Sequence, residues 1–214
     1  MRKFIISIDA GTTSNRSILF DLKGKPVFSS QKEFTQYFPK SGWVEHNPEE
    51  IWRTTVKTLK DVIQKAKKLR GEILNIGITN QRETTVLWDK RTGKPVYNAI
   101  VWQDRRQEEF CAKLRKQNKD TMIFNKTGLL IDSYFSGTKI KWILDNVPKA
   151  KKLMNSNQLL FGTIDSFLIW RFTKGKVHAT DATNASRTMI YNITSNRWDD
   201  TILKLLKIKK NILP

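Results

Sequence analysis

An apolar, β-branched run, "IISI" at residues 5–8, ends at an aspartate and turns at once through "AGTTS". Such a run is typical of a buried strand, so Asp9 is expected where that strand meets solvent. Gly11 permits a tight turn and the close approach of a ligand, and residues 12–14 add hydroxyl donors beside backbone amides. The turn therefore suits a phosphate group, although an ordinary β-hairpin built from turn-forming residues fits the same spacing.

Length and composition predict a soluble globular protein. A chain of 214 residues, 39% of them hydrophobic, is long enough to bury a core. No apolar run approaches the roughly 18 residues that a membrane span needs, and Asp9 ends the first run short of a signal peptide, so we expect a cytoplasmic location. Cys111 is the single cysteine, which excludes an intramolecular disulfide and a cysteine metal cluster and predicts a core residue.

The formal net charge of +19 arises from 39 basic and 20 acidic residues and would favour a nucleic-acid partner. The basic runs at 65–70, 149–153 and 204–210 are far apart, however, and apolar residues interrupt each of them at helical spacing. We interpret these runs as solvated helix faces. The alternative is an anion-attracting field over a phosphate or nucleic-acid site.

Strands and a helix alternate through the first 80 residues. Residues 16–22 and 27–34 predict two strands that form an antiparallel meander with the first. Asn47 as N-cap, Pro48 at the first helical position and Glu50 predict a helix that ends near residue 69. Its predicted buried face consists of Trp52, Val56, Leu59, Ile63 and Ala66. The apolar residues 73–79 then predict a buried strand.

The rest of the chain continues this pattern. Residues 85–89 and 98–102 predict a hairpin, and Asp104 is expected to open a helix over 104–117. Further helices are predicted over 137–146, 163–172 and 198–206. No internal repeat or flexible linker interrupts the sequence. We therefore predict one α/β domain with a mixed sheet.

Several familiar sites are absent from the sequence, including the G-x-x-x-x-G-K-[ST] phosphate loop, the G-x-G-x-x-G fingerprint and the H-E-x-x-H metal motif. The two histidines, His46 and His178, are isolated, which favours structural roles. Polar side chains gather instead in four sets at the ends of predicted strands, where open α/β sheets bind ligands. The sets are Asp9 with Thr12, Thr13 and Arg16; Arg82 with Glu83; Trp102 beside Asp104 and Arg105; and Tyr134 ahead of a helix near Ser136.

Three of these sets have a chemical interpretation and a structural one. Asp9 can hold Mg²⁺ while neighbouring hydroxyls, amides and an arginine screen a phosphate, or its loop is a simple hairpin turn. Arg82 and Glu83 can offer donors and acceptors to a polyol, or form a surface salt bridge. Trp102 supplies an apolar wall to a site, or belongs to the core.

With these sets in place, the sequence resembles the glycerol kinases, members of the carbohydrate kinase family in the sugar kinase, heat-shock ATPase and actin superfamily. The resemblance covers essentially the whole chain, in the family's order and spacing, through "GWVEHNPEEIW", "IGITNQRETTVLWD", "NAIVWQDRR", "YFSGTKIKWILDN", "LLFGTIDSFLIW" and "TDATNASRTM". It implies a ribonuclease-H-like, actin-like ATPase domain in which helices flank a mixed β-sheet.

The resemblance also implies a reaction, the transfer of the γ-phosphoryl group of ATP to a terminal hydroxyl of glycerol with Mg²⁺ present. Residues 9–16 then form the phosphate loop, with Asp9 near the metal and with Thr12, Thr13, Ser14 and Arg16 at the nucleotide phosphates. Four residues line the glycerol site and are called the polyol site below: Arg82, Glu83, Trp102 and Tyr134. The two charged residues would meet hydroxyls, and the two aromatic ones would pack against the carbon chain.

This sequence departs from the family in three ways. Ala10 and Ser133 stand where glycerol kinases usually carry glutamine and proline. Family members are also much longer, and the aspartate that acts as general base is expected after Pro214, with the lobe that binds adenine. The resemblance thus predicts that residues 1–214 are the N-terminal lobe of a two-lobe protein, incomplete at its C-terminal end and inactive without the second lobe. A homo-oligomer of the full-length protein stays open.

Two other interpretations remain. A basic nucleic-acid-binding protein or nuclease on a ribonuclease-H-like fold would use Asp9, Glu83 and Asp104 as metal-binding carboxylates. Such a nuclease needs its acids to converge on two metals about 4 Å apart, which nothing in the spacing demands. A catalytically silent binding module would keep only the polyol site. We expect no membrane partner and no specific nucleic acid.

Overall fold

A computed structural model describes residues 2–214. The strands are β1 (Arg2–Ala10), β2 (Ser14–Asp21), β3 (Pro26–Glu33), β4 (Gln36–Tyr37), β5 (Glu45–His46), β6 (Gly71–Asn80), β7 (Val86–Asp89), β8 (Ala99–Ile100), β9 (Leu159–Gly162), β10 (Tyr191–Asn192) and β11 (Arg197–Trp198). The α-helices are α1 (Pro48–Lys68), α2 (Glu108–Lys116), α3 (Asp120–Thr127), α4 (Ser136–Asn146), α5 (Pro148–Asn155), α6 (Ile164–Phe172), α7 (Ala182–Ala185) and α8 (Asp200–Leu206). The described residues form two compact units, 2–36 with 46–81 and 37–45 with 82–214.

The first unit is built on a four-stranded sheet of order β3-β2-β1-β6. Strands β1, β2 and β3 pair antiparallel in sequence order, and β6 pairs parallel with β1. Alternate residues of β1, among them Phe4, Ile6 and Ile8, point into the core and are buried. The predicted meander and mixed sheet are both confirmed.

Helix α1 covers this sheet and begins as predicted. Asn47 is the N-cap, and its side-chain oxygen accepts a hydrogen bond from the backbone N–H of Glu49 at 2.9 Å, while Pro48 occupies the first turn. The predicted apolar face was wrong in part, because Trp52, Val56 and Ile63 are only half-buried. The buried residues of the helix are Pro48, Ile51, Thr55, Thr58, Leu59, Val62 and Ala66.

Buried polar side chains explain the shift of this face. The hydroxyls of Ser17 on β2 and Thr58 on α1 lie 2.9 Å apart, and Nδ2 of Asn15 donates to the carbonyl oxygen of Ile51 at 2.9 Å. Because β2 presents these polar groups to α1, the helix turns hydroxyl-bearing residues toward the sheet and satisfies them there. A count of apolar positions alone does not reveal such a face.

Strand β6 is not the buried strand that its apolar sequence predicted. Among the described strands it pairs only with β1, so it lies at the edge of the sheet. Leu74 and Ile76 are 47% and 42% exposed. Within residues 2–214, the burial predicted for β6 is therefore not found.

The second unit contains the antiparallel pair β7-β9, while β8 joins the small sheet β4-β5-β8. Of the predicted hairpin of 85–89 and 98–102, one isolated antiparallel bridge remains, Thr85 to Ile100. A second bridge joins Trp88 to Pro95, which lies outside the predicted second strand. The prediction that Asp104 opens a helix was wrong, since α2 begins four residues later. The helices predicted at 137–146, 163–172 and 198–206 are confirmed as α4, α6 and α8 within one or two residues.

A buried arginine organises the polar interior of this unit. One guanidinium nitrogen of Arg106, Nη2, lies 2.7 Å from Glu45 and 2.8 Å from Asp104. The guanidinium packs 3.8 Å from the ring centroid of Trp43 and 4.5 Å from that of Trp142. Burial alone would lower the pKa of Arg106, but its hydrogen bonds with the two carboxylates outweigh burial and raise that pKa. Asp104 is thus a partner of Arg106 and not the start of a helix.

The structure also bears on the predictions for Cys111, for the three basic runs and for membrane spans. Cys111 is buried in the core, and burial raises the pKa of its thiol to about 12. Apart from the half-buried Lys65, the cationic residues in the runs 65–70, 149–153 and 204–210 are exposed, as expected for solvated helix faces. Within residues 2–214, the helices are all too short or too polar to cross a membrane.

Candidate functional site

The loop that joins β1 to β2 is tight. The backbone N–H of Gly11 donates to the carbonyl oxygen of Ser14 at 3.0 Å. A Cβ atom at position 11 would lie 3.1 Å from that same oxygen, closer than an ordinary contact. Glycine therefore fits this close turn better than a residue with a side chain, and the phosphate loop has a compact backbone.

Asp9 and Arg16 flank this loop as cross-strand partners in the β1-β2 register. The Arg16 side chain is held from the next strand, since its Nε and Nη2 donate to Oε1 of Gln31 at 2.9 and 2.7 Å. Nε2 of Gln31 in turn donates to the hydroxyl of Ser14 at 2.9 Å. The structure thus brings Asp9, Ser14 and Arg16 together at one end of the sheet, and it adds Gln31, which the sequence analysis missed.

The position of the Asp9 carboxylate suits a ligand of magnesium. It is half-buried at the end of β1, and it forms no ion pair with another residue of the described chain. Among residues 2–214 there is no group of three or more His, Cys, Asp or Glu side chains that could hold a metal. Magnesium at Asp9 would keep several waters or phosphate oxygens as its other ligands, which is usual for this ion.

Glu83 is the most constrained residue of the polyol site. It is 2% exposed, and its φ angle of 63° lies in the left-handed region. Its Oε1 atom lies 2.6 Å from Nε of Arg187, in an ion pair that spans 104 residues. The predicted alternative of a surface salt bridge between neighbours is wrong for this carboxylate, whose ion-pair partner is Arg187.

The backbone of Glu83 is held as firmly as its side chain. Its carbonyl oxygen accepts hydrogen bonds from the hydroxyl of Ser136 at 2.9 Å and from that of Thr85 at 3.2 Å. Ser136 is the first residue of α4, so the start of that helix is tied to the loop that follows β6. Arg82, in contrast, is exposed.

The two aromatic residues of the polyol site are neighbours. The rings of Trp102 and Tyr134 are tilted at 55° with centroids 5.5 Å apart, and both residues are half-buried. Phe135 lies behind Tyr134 in an edge-to-face contact at 5.3 Å. Such an arrangement presents an apolar surface while keeping the rings fixed.

A buried lysine lies under this site. Lys139 on α4 is 1% exposed, and its Nζ donates to the carbonyl oxygen of Tyr134. Burial lowers the pKa of Lys139 to about 7, although the negative charges of Asp104, Glu83 and Asp132 raise it in part. Neither Lys139 nor Arg187 was identified from the sequence, and only the motif "TDATNASRTM" pointed to the region of Arg187.

The carboxylates of the nuclease interpretation are engaged elsewhere. Glu83 pairs with Arg187, and Asp104 pairs with Arg106 while also accepting from the backbone N–H of Val44 at 2.7 Å. An arginine neutralises each of them, so neither is arranged as a metal ligand. The geometry does not favour that alternative.

The fold and the residue sets described above are those expected of a carbohydrate kinase. The chain belongs to the FGGY family of carbohydrate kinases, and its residues 4–214 match the N-terminal domain of that family. The glycerol kinase of Malacoplasma penetrans (strain HF-2) is 60% identical over 213 residues, which cover all of this chain and 42% of that protein. The glycerol kinase of Alkaliphilus metalliredigens (strain QYMF) is 56% identical over 214 residues, all of this chain and 43% of that protein.

Solved structures give the same result for the fold. The crystal structure of Plasmodium falciparum glycerol kinase with ADP superposes with a TM-score of 0.94 at 37% identity, over all of this chain and 42% of that one. Gluconate kinase from Lactobacillus acidophilus superposes with a TM-score of 0.87 at 28% identity, again over all of this chain and 42% of the other. The predicted actin-like ATPase fold class is confirmed. The chain spans less than half the length of these relatives.

Proposed function

We propose that the protein carrying this chain is an ATP-dependent glycerol kinase that forms glycerol 3-phosphate. The observation that carries the proposal is the likeness to glycerol kinases at 56–60% identity along the whole chain. The polyol site supports it, because a buried carboxylate beside two aromatic rings suits a small molecule with hydroxyls on a carbon chain. We further infer that the protein acts in the cytoplasm.

On the nucleotide side, the proposal assigns the phosphates of ATP to the phosphate loop. The turn at Gly11 carries the hydroxyls of Thr12, Thr13 and Ser14 beside backbone amides, and these groups would donate to phosphate oxygens. Arg16, oriented by Gln31, adds a positive charge. Asp9 would hold Mg²⁺, which, when bound, neutralises phosphate charge during transfer.

On the acceptor side, the proposal assigns glycerol to the polyol site. Glu83 would accept a hydrogen bond from one hydroxyl, and Arg82 would donate to another. Trp102 and Tyr134 would pack against the carbons and exclude water, which fixes the acceptor hydroxyl for attack. In this scheme residues 2–214 bind and position the reactants, and no general base is assigned among them. The 214 residues alone are therefore expected to be inactive.

The test is the Arg82→Ala variant of the protein expressed from its complete reading frame. The variant should lose about a hundredfold in kcat/KM for glycerol, because groups built to meet a hydroxyl are left unpaired. Arg91→Ala is the matched control, since Arg91 is 67% exposed and lies outside both sites. Formation of glycerol 3-phosphate from ATP is the measurement. A parent protein that is inert on glycerol overturns the proposed function, and an Arg82 variant of normal activity overturns the polyol site.

A further inference from the structure

Arg187 contacts two residues of the polyol site, Glu83 and Tyr134, and also Phe135 behind them. Besides its 2.6 Å bond to Oε1 of Glu83, its guanidinium lies 5.8 Å from the ring centroid of Tyr134 and 5.1 Å from that of Phe135. Both distances lie within the range of cation–π attraction. One arginine therefore contacts the charged half and the aromatic half of the site at once.

The pair formed by Arg187 and Glu83 has a donor fork at one end and a carboxylate at the other. The Glu83 side chain is 3% exposed, so burying its charge without a neighbouring cation would be unfavourable. The Arg187 side chain is 32% exposed. A hydrogen bond between two charged groups is among the strongest available in proteins and sets the orientation of both. Nε of Arg187 donates to Oε1 of Glu83. The second carboxylate oxygen of Glu83, Oε2, is therefore the one that would accept from a substrate hydroxyl.

The chain segment that carries Arg187 is itself anchored. Arg187 lies in the short 3₁₀ helix Ser186–Thr188, directly after α7. Asp181 caps α7 by accepting from the backbone N–H of Asn184 at 2.8 Å. Just before it, the hydroxyl of Thr180 donates to Asp165 on α6 at 2.7 Å. The arginine is thus presented from a fixed segment and not from a free loop.

The left-handed backbone at Glu83 is a second, independent sign of a functional constraint. The other non-glycine residues with positive φ in the described chain follow helix ends or lie in the β10-β11 turn, as Asn118 and Asn196 do. Glu83 follows a strand in an irregular loop. Residues held in such conformations occur preferentially where the surroundings fix a side chain for a task.

We propose that Arg187 is a positioning residue of the polyol site, which orients the Glu83 carboxylate and the Tyr134 ring so that one defined hydroxyl of the acceptor is recognised. The inference rests on the proposed function. It goes beyond the resemblance, which placed no role at position 187. The role is exerted through Glu83 and Tyr134, so Arg187 sets the selectivity for a hydroxyl and has no part in the nucleotide site.

The test compares glycerol with two analogues that each lack one hydroxyl, propane-1,2-diol and propane-1,3-diol. The variants are Arg187→Gln and Arg187→Lys in the protein expressed from its complete reading frame. Arg187→Gln should lower kcat/KM for glycerol by about 10- to 100-fold, mainly through KM. The KM for ATP should stay within about twofold of the parent value. Preference for glycerol over at least one diol should fall by a similar factor, and Arg187→Lys should restore part of it.

Arg171→Gln is the matched control. Arg171 also packs on an aromatic ring, 5.5 Å from the centroid of Phe167, and donates to the carbonyl oxygen of Gly93 at 3.3 Å, but it belongs to neither site. Its substitution should leave the ratio between glycerol and the diols unchanged.

Each outcome decides the proposal. An unchanged ratio in Arg187→Gln, or equal losses for glycerol and ATP with a lower Tm, overturns the positioning role while the glycerol kinase activity of the parent stands. If Arg187→Gln does not fold, the ratio in Arg187→Lys decides in the same way. A parent that is inert on glycerol overturns the proposed function and this inference together.

Discussion

The side-chain nitrogen of Gln81 donates a hydrogen bond to the carbonyl oxygen of Gly11 at 3.0 Å. The backbone N–H of Gln81 also donates to the carbonyl oxygen of Ala10 at 2.8 Å, so the end of β6 is attached twice to the phosphate loop. The same side-chain nitrogen lies 3.3 Å from Nδ1 of His46, whose Nε2 is 2.5 Å from Oε1 of Gln36. This pattern requires a neutral imidazole, and burial lowers the pKa of His46 to about 4, which keeps it neutral near pH 7.

We predict that Gln81→Glu weakens ATP binding selectively. The substitution keeps the shape of the side chain but replaces a donor by an acceptor that faces the carbonyl of Gly11 and the ring nitrogen of His46. The free energy of unfolding should fall by about 1–3 kcal/mol, and the KM for ATP should rise about tenfold while that for glycerol stays unchanged. Gln64→Glu, on the exposed side of α1, is the control. An unaltered KM for ATP would mean that this bond does not shape the loop.

The Arg106 cluster gives a prediction about stability. Arg106→Met removes the cation that neutralises Asp104 and Glu45, both of them buried, and should lower the free energy of unfolding by about 3–5 kcal/mol. Lys57→Met, which breaks the exposed pair with Asp61, should cost at most about 0.5 kcal/mol. Denaturant unfolding of both variants is the measurement. Similar losses of unfolding free energy in the two variants would show that burial does not make the Arg106 ion pairs more important than an exposed one.

The lowered pKa of Lys139 leads to a prediction about how the free energy of unfolding depends on pH. Its pKa is about 7 in the folded protein and 10.5 without burial, so between these values the unfolded chain binds more protons. The free energy of unfolding should therefore rise with pH from about 7 upward, by at most about 1.4 kcal/mol per pH unit from this group. Above pH 9 the raised pKa of Cys111 acts in the opposite direction, because the folded thiol keeps its proton longer. The useful window is thus about pH 7 to 9.

The measurement is urea unfolding across that window for the parent and for Lys139→Met. The parent should gain stability with pH, and the variant should lose most of this slope because it has no amine at position 139. Lys141→Met on the same helix should keep the slope, since Lys141 is not fully buried and pairs with the exposed Asp145 four residues later. Equal slopes in the parent and Lys139→Met would show that the buried amine does not govern the pH response.

The net charge of +19 predicts only weak, unspecific attraction to nucleic acid. Exposed lysines in α1, α5 and the 204–210 segment are distributed over separate elements. Binding to DNA or RNA at low salt should be independent of sequence and nearly absent at about 200 mM salt, as counterion release requires. Fluorescence anisotropy with two unrelated oligonucleotides at several salt concentrations measures this. Tight binding that persists at about 200 mM would restore the nucleic-acid interpretation.

Local signals in the sequence predicted the strands β1 to β3 and the start of α1 in the first unit well. The cap at Asn47 and the turn at Gly11 involve neighbours in the chain, and their geometry follows from the residue types. The buried face of α1 was harder to predict, because Thr55 and Thr58 are buried opposite polar residues of β2. Which polar groups find partners depends on packing between elements, and a single sequence does not contain that information directly.

The same distinction applies to the candidate sites. Residue type and family resemblance pointed to Glu83 and Tyr134, and the structure places both around Arg187. Arg187 itself is 104 residues from Glu83, so no local pattern could connect them. Arg106 shows the same limit, since its partner Glu45 is 61 residues away. Long-range ion pairs of this kind become visible only once the chain is folded.

The positive φ angle of Glu83 also has a consequence for protein engineering. A left-handed backbone costs a residue with a side chain roughly 1–2 kcal/mol, and glycine avoids that cost. Glycine at position 83 would also remove the buried carboxylate that pairs with Arg187, which costs more than the relieved strain, so screening for thermal tolerance and screening for turnover should both retain glutamate. A heat-resistant form of this protein is better sought at positions that have no role in either site, such as the exposed Gln64 on α1.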